Sequence, residues 1–574
     1  MSVGPLLSAC YRGFRERYLD HAELTAQLEA WRASFPGLVR VESIGVTREG
    51  RDIWLVTLGP EPDRKRPAVW VDGNMHASEL CGSSVALALA EDVLGLHLAP
   101  ESSRIPAPLR ETLSDVLFYV VPRISPDGAE AVLTHARWIR SVPRDERKHG
   151  GQPRWVARDL DGDGRALLMR KEDPTGEWIA PDPNSSVLVP RDIEDPGPFY
   201  KLYPEGVITG FDGQHVPSPH FMSDNSPDLN RNFPWSWAPE REQVGAGEFP
   251  GSEPESRAVI EAATARPEIF YWVNYHTFGG VFIRPLGGAP DTQLADFDRA
   301  IFAQLERWTT EYTGYPMVSG FEEFTYSESK PLHGDLSDFA YHQRGAIAYV
   351  CELWDLFARL ELPKPKRFCD YYIRLGREEL LKLAAWDREH NEQRIFQAWE
   401  RFEHPQLGPV ELGGFDARIG IWNPPERELA DICRRQADAF FRIAALSPRL
   451  RLSLEVQGVE AGVCQLVATI ENLGYLPTHV LDSAKDLPLS APPVATLTTE
   501  GGARCLDSTK RELGHLDGWG RGAGSREFAF HIPRSRGTTS RRVLTFTLTG
   551  AGTARLVVES PRLGSVQAAI EISP

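Results

Sequence analysis

The chain contains three apolar runs that are each followed, directly or after a short polar turn, by a histidine or a glutamate, and this pattern constrains its fold more than any other feature. Short apolar runs bounded by polar turns are typical of buried β-strands. The carboxyl ends of such strands meet at one edge of an α/β sheet, which is where these sheets bind ligands. We therefore expect the polar residues after the runs to converge. They are Pro67–Asp72 followed by His76 and Glu79, Ile269–Tyr275 followed by His276, and Ala346–Cys351 followed by Glu352.

These residue types suit a zinc ion. Alone, a His-x-x-Glu spacing carries little weight, because a chain with 15 histidines contains about one by chance. Two histidines and one glutamate, however, supply the nitrogen and oxygen ligands that Zn²⁺ prefers. They leave a fourth position for water, and a second glutamate is available as a base. That combination is typical of a catalytic zinc site rather than a structural one.

Strands and helices alternate through most of the chain. Asp20 is placed to cap a helix that has Leu24, Leu28 and Trp31 on one face. Further strands are predicted at 39–46, 51–58 and 116–122, and further helices at 291–312, 370–402 and 426–445. This alternation predicts an α/β fold with a mixed, mostly parallel sheet flanked by helices.

Two regions depart from the α/β pattern. Residues 1–446 are predicted as one domain, which contains an irregular insert at about 141–225 and an extra helical segment at about 385–446, with 404–414 as turns. Residues 447–574 are predicted as an all-β sandwich, because short strands alternate there with turns. Its predicted strands are 451–456, 464–470, 526–532, 542–548 and 555–559.

The insert contains an acidic run that resembles the first half of a calcium loop. Asp159, Asp161 and Asp163 alternate there with Leu and Gly residues. Leu167 and Arg170 occupy positions where further oxygen ligands are expected. The run therefore predicts either a calcium site or a solvated acidic turn.

Bulk properties exclude several classes of partner. With 63 basic and 80 acidic residues, the formal charge of −17 argues against nucleic acid and anionic membranes as partners. No apolar span of 18 residues stands out, so we expect no membrane-crossing segment. Seven scattered cysteines and an N-terminus without a basic signal-like region predict reduced thiols and a cytoplasmic location. The oligomeric state is left open.

Several motifs occur together in the order found in one enzyme family. The chain resembles the zinc carboxypeptidases related to pancreatic carboxypeptidase A, over about residues 11–384, and several motifs in order are far more specific than one. The motifs are Ile44–Arg51, His76-x-x-Glu79, Arg137-Trp-Ile-Arg140, Asp228-Leu-Asn-Arg-Asn232, His276-Thr277 and Glu352-Leu-Trp-Asp355.

The resemblance implies a role for each motif residue. It implies that His76, Glu79 and His276 bind one zinc ion per chain. It implies that Glu352 is the general base and that Arg140 polarises the scissile carbonyl and holds the oxyanion. Asn230 and Arg231 would bind the terminal carboxylate of a peptide, a group that the planar fork of an arginine suits well. Such a clamp makes the predicted enzyme an exopeptidase.

The chain also departs from the family pattern. Ser78 stands where the family often has a substrate-contacting arginine. The mobile tyrosine of the family has no clear counterpart, and Tyr326 is the nearest candidate. Ser337 at the expected specificity position is neither large nor apolar, and the nearby Asp335 raises the hypothesis of a preference for basic C-terminal residues.

The predicted function is therefore a zinc-dependent metallocarboxypeptidase. One alternative is a related enzyme that trims cell-wall (murein) peptides, because the sequence of the Asp228–Pro234 stretch is similar to that of such bacterial relatives. A second alternative is a non-catalytic peptide-binding relative that presents the β-sandwich to a partner. The complete set of His76, Glu79, His276 and Glu352 argues against this alternative.

Overall fold

A computed structural model describes most of the chain and shows an eight-stranded mixed sheet at its centre. The described residues are 3–137, 139–144, 152–182, 185–219, 227–325, 331–373, 375–460, 462–524 and 534–573. The strands of the central sheet are β1 Val39–Val46, β2 Asp52–Leu58, β3 Ala68–Gly73, β4 Leu117–Val121, β5 Ile269–Thr277, β6 Val281–Arg284, β7 Met317–Ser319 and β8 Ile347–Leu353.

The order of the central sheet is β1-β2-β4-β3-β5-β8-β6-β7. Strands β4, β3, β5 and β8 form a parallel block, and β2 and β6 join its two sides in antiparallel pairs. The three strands predicted to end in site residues, β3, β5 and β8, are therefore direct neighbours. The predicted fold class, a mixed and mostly parallel sheet with helices, is confirmed.

Helices cover the central sheet. In the described part of the chain, those of eight or more residues are α1 Val3–Cys10, α2 His21–Ser34, α3 Cys81–Leu98, α4 Pro126–His135, α5 Pro254–Thr264, α6 Asp296–Thr313, α7 Arg377–His390 and α8 Glu426–Ala444. Shorter turns of helix are Pro100–Ser102, Ala107–Leu113, Leu229–Arg231, Asp291–Gln293, Gly320–Phe324, Leu336–Asp338, Phe339–Gln343, Leu356–Arg359, Asp370–Ile373, Asp482–Ala484 and Pro488–Ser490.

Two helices test the sequence predictions directly. In α2, the Asp20 carboxylate accepts a hydrogen bond from the Glu23 backbone N–H, and the predicted apolar face is buried. Helix α3 corrects the expectation that no span is long and apolar enough to cross a membrane, because it meets both criteria. Most of α3 is buried, and it contacts β3, β5 and α8. Its apolar side chains are thus accounted for by the protein core.

The insert is not irregular, which corrects the prediction for residues 141–225. It contributes strands to a six-stranded sheet, whose order is Phe396–His404, Gly408–Phe415, Leu168–Glu172, Phe199–Pro204, Trp178–Ile179 and Val189–Pro190, and it pairs Arg154–Ala157 with Gly206–Thr209. The strands are short, and Leu168–Glu172 pairs with Gly408–Phe415 more than 200 residues away. The local hydrophobic periodicity of a short strand does not indicate such a distant pairing partner.

The predicted helix at 370–402 and the turns at 404–414 are also wrong in part. Helix α7 ends at His390, and Phe396–His404 and Gly408–Phe415 form an antiparallel hairpin. The buried Asp387 carboxylate accepts the backbone N–H groups of Ile395 and Phe396, which turns the chain out of the helix. The extra segment at 385–446 is therefore a hairpin followed by a helix.

The C-terminal region consists of two four-stranded sheets that share one apolar core, as predicted. The sheets are Leu450–Glu460, Val463–Asn472, Arg541–Thr549 and Arg504–Cys505, and Lys510–Glu512, Val494–Gly501, Gly552–Ser560 and Gly564–Ile572. Buried residues alternate along Val463–Asn472, which is the pattern of a strand with one face in the core. The predicted strand at 526–532 lies outside the described residues.

The C-terminal region contacts the end of the central sheet opposite the predicted site. The fully buried Arg562 guanidinium donates to the carbonyl of Ile269 at the start of β5 and to that of Arg344 just before β8. Asp298 in α6 accepts the backbone N–H of Asp482 at 2.7 Å. These contacts fix the two sheets against the starts of the strands that carry His276 and Glu352.

Candidate metal centre

The turn after β3 presents His76 and Glu79 towards the interior. The Asn74 side chain donates to the carbonyls of His76 and Ala77, at 2.8 and 3.2 Å. Asn74 itself has a positive φ of 53°, a conformation that asparagine tolerates better than most residues. At Gly73 a Cβ would lie 2.6 Å from the backbone of Gly82, so only glycine fits there. The turn is thus fixed by local sequence.

Three predicted ligands converge at one buried point. His76 Nδ1 lies 2.7 Å from Glu79 Oε1. His276 Nδ1 lies 3.0 Å from His76 Nδ1 and 2.9 Å from Glu79 Oε2. All three residues are at most 3% exposed. Two imidazole nitrogens and a carboxylate that face each other in the absence of solvent are the arrangement expected around a cation.

The outward nitrogens of both rings have their own partners. His76 Nε2 donates to Asp228 Oδ1 at 3.2 Å, and His276 Nε2 donates to Asn274 Oδ1. The Asn274 amide donates in turn to the buried carboxylate of Asp72. With Nε2 as the donor, each ring directs the lone pair of Nδ1 inward. This donor set fits Zn²⁺, whose histidine ligands usually donate their other N–H to a carboxylate or carbonyl.

Glu352 lies beside the ligand cluster on the neighbouring strand. In the parallel pair β5 and β8, His276 is the register partner of Glu352, so both side chains point to the same face. The Glu352 side chain is partly buried. Desolvation and the charge of Glu79 raise the pKa of Glu352 well above its usual range, and Arg140 opposes that shift.

Arg140 reaches the same cluster from the loop after α4. Its Nε donates to Asp228 Oδ2 at 3.1 Å, and its Nη1 lies 3.4 Å from Glu79 Oε1. Its backbone carbonyl accepts the Ala77 N–H at 2.8 Å, so the loop is bonded to the turn that contains His76 and Glu79, which we call the metal turn. Burial acts to raise the pKa of Asp228, but the charges of Arg140 and Arg231 outweigh it and hold that pKa well below its usual range.

Asn230 and Arg231 lie in the short helix Leu229–Arg231 beside Asp228. The Asp228 carboxylate accepts the Asn230 N–H at 2.8 Å and so caps this turn. Asn230 Oδ1 accepts the Leu336 N–H at 2.8 Å, whereas Arg231 Nη1 donates to the carbonyl of Asn230 at 2.6 Å. The side-chain oxygen of Asn230 thus already has a hydrogen-bond partner within the protein. Arg231 is partly exposed, and its guanidinium lies close to the cluster.

The predicted specificity residues have mixed outcomes. Tyr326 lies outside the described residues. Asp335 Oδ1 accepts the Asp338 N–H at 3.0 Å and the Ser337 hydroxyl at 2.6 Å, so it caps a short helix. Burial, followed by the charge of Asp335, raises the pKa of Asp338 to about 8. A preference for basic C-terminal residues through Asp335 stays a prediction.

The predicted calcium loop receives no support from its contacts. Asp159 accepts the N–H groups of Gly162 and Gly164 at 2.7 and 2.9 Å, which is the hydrogen bonding of a tight acidic turn. Asp163 forms an ion pair with Arg165 at 2.7 Å and is not among the acidic residues whose oxygens converge. The described contacts therefore match the alternative, a solvated turn, and we do not assign calcium to Asp159, Asp161 and Asp163.

Glu205 replaces Asp163 as the third acidic member of this group. Asp159, Asp161 and Glu205 bring their oxygens within 4.8 Å of one another. The Glu205 oxygens, however, accept the N–H groups of Leu160 and Leu167 at 2.7 and 2.9 Å. Burial raises the pKa of Glu205 to about 7. This carboxylate thus stabilises the backbone of the insert through hydrogen bonds.

The residues that orient the proposed metal ligands through hydrogen bonds were not predicted from the sequence. Asp228 belongs to a recognised motif, but its contact with His76 and Arg140 needs three loops to meet in space. Asp72 and Asn274 were visible as polar residues inside otherwise apolar runs, and they are register partners on β3 and β5. A buried polar residue needs a partner, which was the available signal.

Comparison with known proteins now places the chain. The family described as "Zinc carboxypeptidase" matches residues 24–163 and 218–367, which together make up half of the sequence. The chain belongs to the zinc carboxypeptidase family. A second match assigns residues 451–571 to a domain of unknown function. Peptides are the substrates of this family, and the family is zinc-dependent.

Individual relatives align with parts of the chain. Carboxypeptidase B of Astacus astacus is 31% identical over 125 residues, which is 22% of this chain and 38% of that protein. Inactive metallocarboxypeptidase ECM14 of Saccharomyces cerevisiae is 29% identical over 158 residues, which is 26% of this chain and 34% of that protein. The chain spans about a third of the length of the curated relatives it matches.

Two solved structures also align with parts of the chain. Bovine thrombin-activatable fibrinolysis inhibitor, in complex with tick carboxypeptidase inhibitor, aligns with a TM-score of 0.40 and 14% identity over 75% of this chain and 97% of that chain. Carboxypeptidase A from Helicoverpa armigera aligns with a TM-score of 0.37 and 17% identity over 61% of this chain and 70% of that chain.

Proposed function

We propose that the protein is a zinc-dependent metallocarboxypeptidase that releases the C-terminal residue of a peptide. One observation carries the proposal. The inward nitrogens of His76 and His276 and the carboxylate of Glu79 converge within 3.0 Å of one another, and the register partner of His276 on the next strand is Glu352. Membership of the zinc carboxypeptidase family supports the same assignment.

The donor set supports a catalytic zinc ion held by His76, Glu79 and His276. When bound, zinc supplies a Lewis acid that lowers the pKa of its water to about 7 and polarises a carbonyl. An amide bond needs such help at neutral pH, because water alone is a poor nucleophile. Asp228 and Asn274 hold the two imidazoles in the tautomer that leaves Nδ1 free.

Glu352 is the proposed general base. It takes a proton from the attacking water and delivers it to the nitrogen of the leaving amine, so the carboxylate ends the cycle as it began. Its raised pKa favours proton uptake. Arg140 is a fixed cation in the same cleft, 20% exposed, and is placed to stabilise negative charge that develops on the carbonyl oxygen.

Arg231 and Asn230 are the proposed receptors for the free carboxylate of the substrate. A guanidinium matches a carboxylate with two parallel hydrogen bonds, and an internal peptide bond offers no such group. This requirement restricts cleavage to the C-terminal residue. The Asn230 carbonyl already accepts one Arg231 N–H, which leaves further guanidinium donors for the substrate.

A non-catalytic binding protein is the second candidate. The relative Inactive metallocarboxypeptidase ECM14 of Saccharomyces cerevisiae favours it by name. Here, however, His76, Glu79, His276 and Glu352 are all present and share one face of the sheet. Among the described residues we find no contact that favours the cell-wall peptide alternative, which enters as an outcome of the assay.

The test is hydrolysis of a panel of N-blocked dipeptides by the zinc-loaded protein. Each peptide is supplied with a free and with an amidated C-terminus, and a murein tripeptide is included. We expect release of the C-terminal residue from free acids only. Cleavage of the murein peptide alone would move the assignment to cell-wall peptides. Zinc binding without hydrolysis of any member would favour the binding protein.

A further inference from the structure

A loop outside the matched family regions contacts the metal turn. Residues 416–424, which we name the clamp loop, join the strand Gly408–Phe415 to helix α8. The zinc carboxypeptidase match ends at residue 367, and the second match begins at residue 451. The clamp loop thus belongs to neither matched part, and nothing in the motif order of the family points to it.

Asn423 in the clamp loop bridges both sides of Glu79. Its Nδ2 donates to the Ser78 carbonyl at 2.7 Å, and its Oδ1 accepts the Cys81 N–H at 3.0 Å. Asn423 is fully buried. Cys81 is the first residue of α3, a helix without a side-chain cap from its own N-cap residue. A single amide from 342 residues away therefore satisfies the backbone before and after the predicted ligand.

The clamp loop also contacts the segments that follow the other two site strands. The Trp354 indole N–H, two residues beyond Glu352, donates to the Gly420 carbonyl at 3.0 Å. The Trp422 ring packs edge-on against Phe278, two residues beyond His276, with centroids 5.3 Å apart. One loop thus contacts the backbone or side chains next to all three site elements.

The clamp loop is itself rigidly held. The Gly420 N–H donates to the Asn423 carbonyl at 2.7 Å, and the Asn391 amide donates to the Ile419 carbonyl at 2.9 Å. Gly420 has a φ of +109°, and a Cβ there would lie 2.4 Å from the Asn391 amide. Such a loop can define distances between the elements it touches, because its own backbone has few alternative arrangements.

We propose that the clamp loop sets the spacing of Glu79, His276 and Glu352, and that Asn423 is a positioning residue for the zinc site. The inference rests on the proposed function, since it takes zinc as the resident ion. Asn423 contacts no ligand atom and acts through the Ser78 and Cys81 backbone. Residues that orient metal ligands typically contribute 10- to 100-fold to metal affinity or activity.

Asn423→Asp is the sharpest test, because it keeps the shape and changes one group. The carboxylate still accepts the Cys81 N–H, and a negative charge at a helix N-terminus is favourable. Its second oxygen, however, faces the carbonyls of Ser78 and Arg418, which now accept hydrogen bonds from Nδ2 at 2.7 and 2.9 Å. We expect the zinc dissociation constant, measured by chelator competition, to rise about tenfold.

Asn472→Asp is the matched control. Asn472 is a buried asparagine whose Nδ2 donates to the carbonyls of Leu476 and Asp517 at 2.8 and 3.1 Å in the C-terminal region. It makes the same kind of bridge, remote from the site. We expect it to lower thermal stability and leave zinc affinity unchanged. Asn423→Ser, which retains one hydroxyl, should give an intermediate zinc affinity and serves if Asn423→Asp does not fold.

The outcomes separate the inference from the proposed function. Wild-type zinc affinity in Asn423→Asp and Asn423→Ser, with stability lost as in Asn472→Asp, would overturn the positioning role and leave the zinc site intact. A wild-type protein that binds no zinc would overturn both. Weakened zinc binding in the Asn423 variants supports the clamp loop whether or not the wild-type protein hydrolyses the dipeptide panel.

Discussion

Two groups of three potential ligands occur in the described residues, and they differ in where their hydrogen bonds point. Around His76, Glu79 and His276 the outward Nε2 atoms of the two rings donate to Asp228 and Asn274, so the two Nδ1 lone pairs face each other and the Glu79 carboxylate. In Asp159, Asp161 and Glu205 the carboxylate oxygens accept backbone N–H groups of the acidic turn at 160–163.

The difference teaches that proximity of ligand-type residues is not enough. A cluster that leaves lone pairs facing one another in a buried space needs a cation to be stable, because unpaired buried polar atoms are costly. A cluster whose oxygens already accept N–H groups is satisfied without one. On this criterion we propose the first group as the zinc site and interpret the second as a structural turn of the insert.

Replacement of Glu352 should give the largest effect on the first group. In Glu352→Gln the side chain keeps its size but cannot take the proton of the attacking water, so we expect kcat to fall by about 10³-fold or more. Zinc content should stay at the wild-type value, because Glu352 is not among the three converging ligands. Single-turnover assays and metal analysis on the same sample check both points. Retained kcat would remove Glu352 from the role of base.

Arg231→Ala should produce the next largest effect and should act on substrate binding. Loss of a charge-assisted pair with the terminal carboxylate costs about 1.5–3 kcal/mol, which corresponds to roughly 10- to 150-fold in kcat/KM. The control is within the experiment, since an amidated peptide lacks the carboxylate and should be hydrolysed equally poorly by both proteins. A variant that still discriminates free from amidated peptides would exclude Arg231 as the receptor.

Asp228→Asn sharpens the comparison, because it alters an outward hydrogen bond without touching a ligand. The amide can present its N–H to His76 Nε2 and favour the wrong tautomer, so we expect zinc affinity to fall about tenfold. Asp298→Asn is a matched control, as Asp298 is a fully buried carboxylate that accepts backbone N–H groups of Asp482 and Ser483 away from the site. Equal zinc affinity in both variants would contradict the tautomer role.

Glu205→Gln tests the second group, with a smaller effect on stability. The folded-state pKa of Glu205 is about 7, above its ordinary value of 4.5. The folded protein therefore keeps a proton that the unfolded chain releases, and stability is lost as pH rises from 4.5 through 7. We expect the melting temperature to fall between pH 5 and pH 8 by a few degrees more in the wild type than in Glu205→Gln.

Added calcium provides the opposing outcome for Glu205. At about 1 mM, the range in which weak calcium modules bind, calcium should leave the wild-type melting temperature unchanged at both pH values. A calcium-dependent rise at pH 8 that is absent in Glu205→Gln would show that the acidic group binds a cation after all, and the contrast between the two groups would fail.

The central sheet and the ligand cluster could be predicted from sequence, because both depend on local patterns. Apolar runs that are followed by His76, His276 and Glu352 indicate strands and their carboxyl ends without knowledge of their partners. The motif order then predicted roles for Arg140 and Arg231. The turn at Gly73 and Asn74 follows equally local rules of backbone conformation.

The hairpin and the clamp loop could not be predicted, because their stability comes from distant partners. In Phe396–His404, the charged residues Glu400, Arg401 and Glu403 are exposed and give no regular alternation, and the preceding helix ends where Asp387 accepts the Phe396 N–H. Asn423 reads as a turn residue before two prolines, and its contact with Ser78 joins positions 345 residues apart. Such long-range polar contacts leave no periodic signal in the chain.

Zinc stoichiometry tests the central claim most directly. Native mass spectrometry would be applied to the wild-type protein, His276→Ala and Asp161→Asn, each prepared without chelator. The geometry of the two groups predicts about one zinc per chain in the wild type and in Asp161→Asn, and none in His276→Ala. Zinc that persists in His276→Ala and disappears in Asp161→Asn would contradict the assignment, and so would a wild-type protein that carries no zinc.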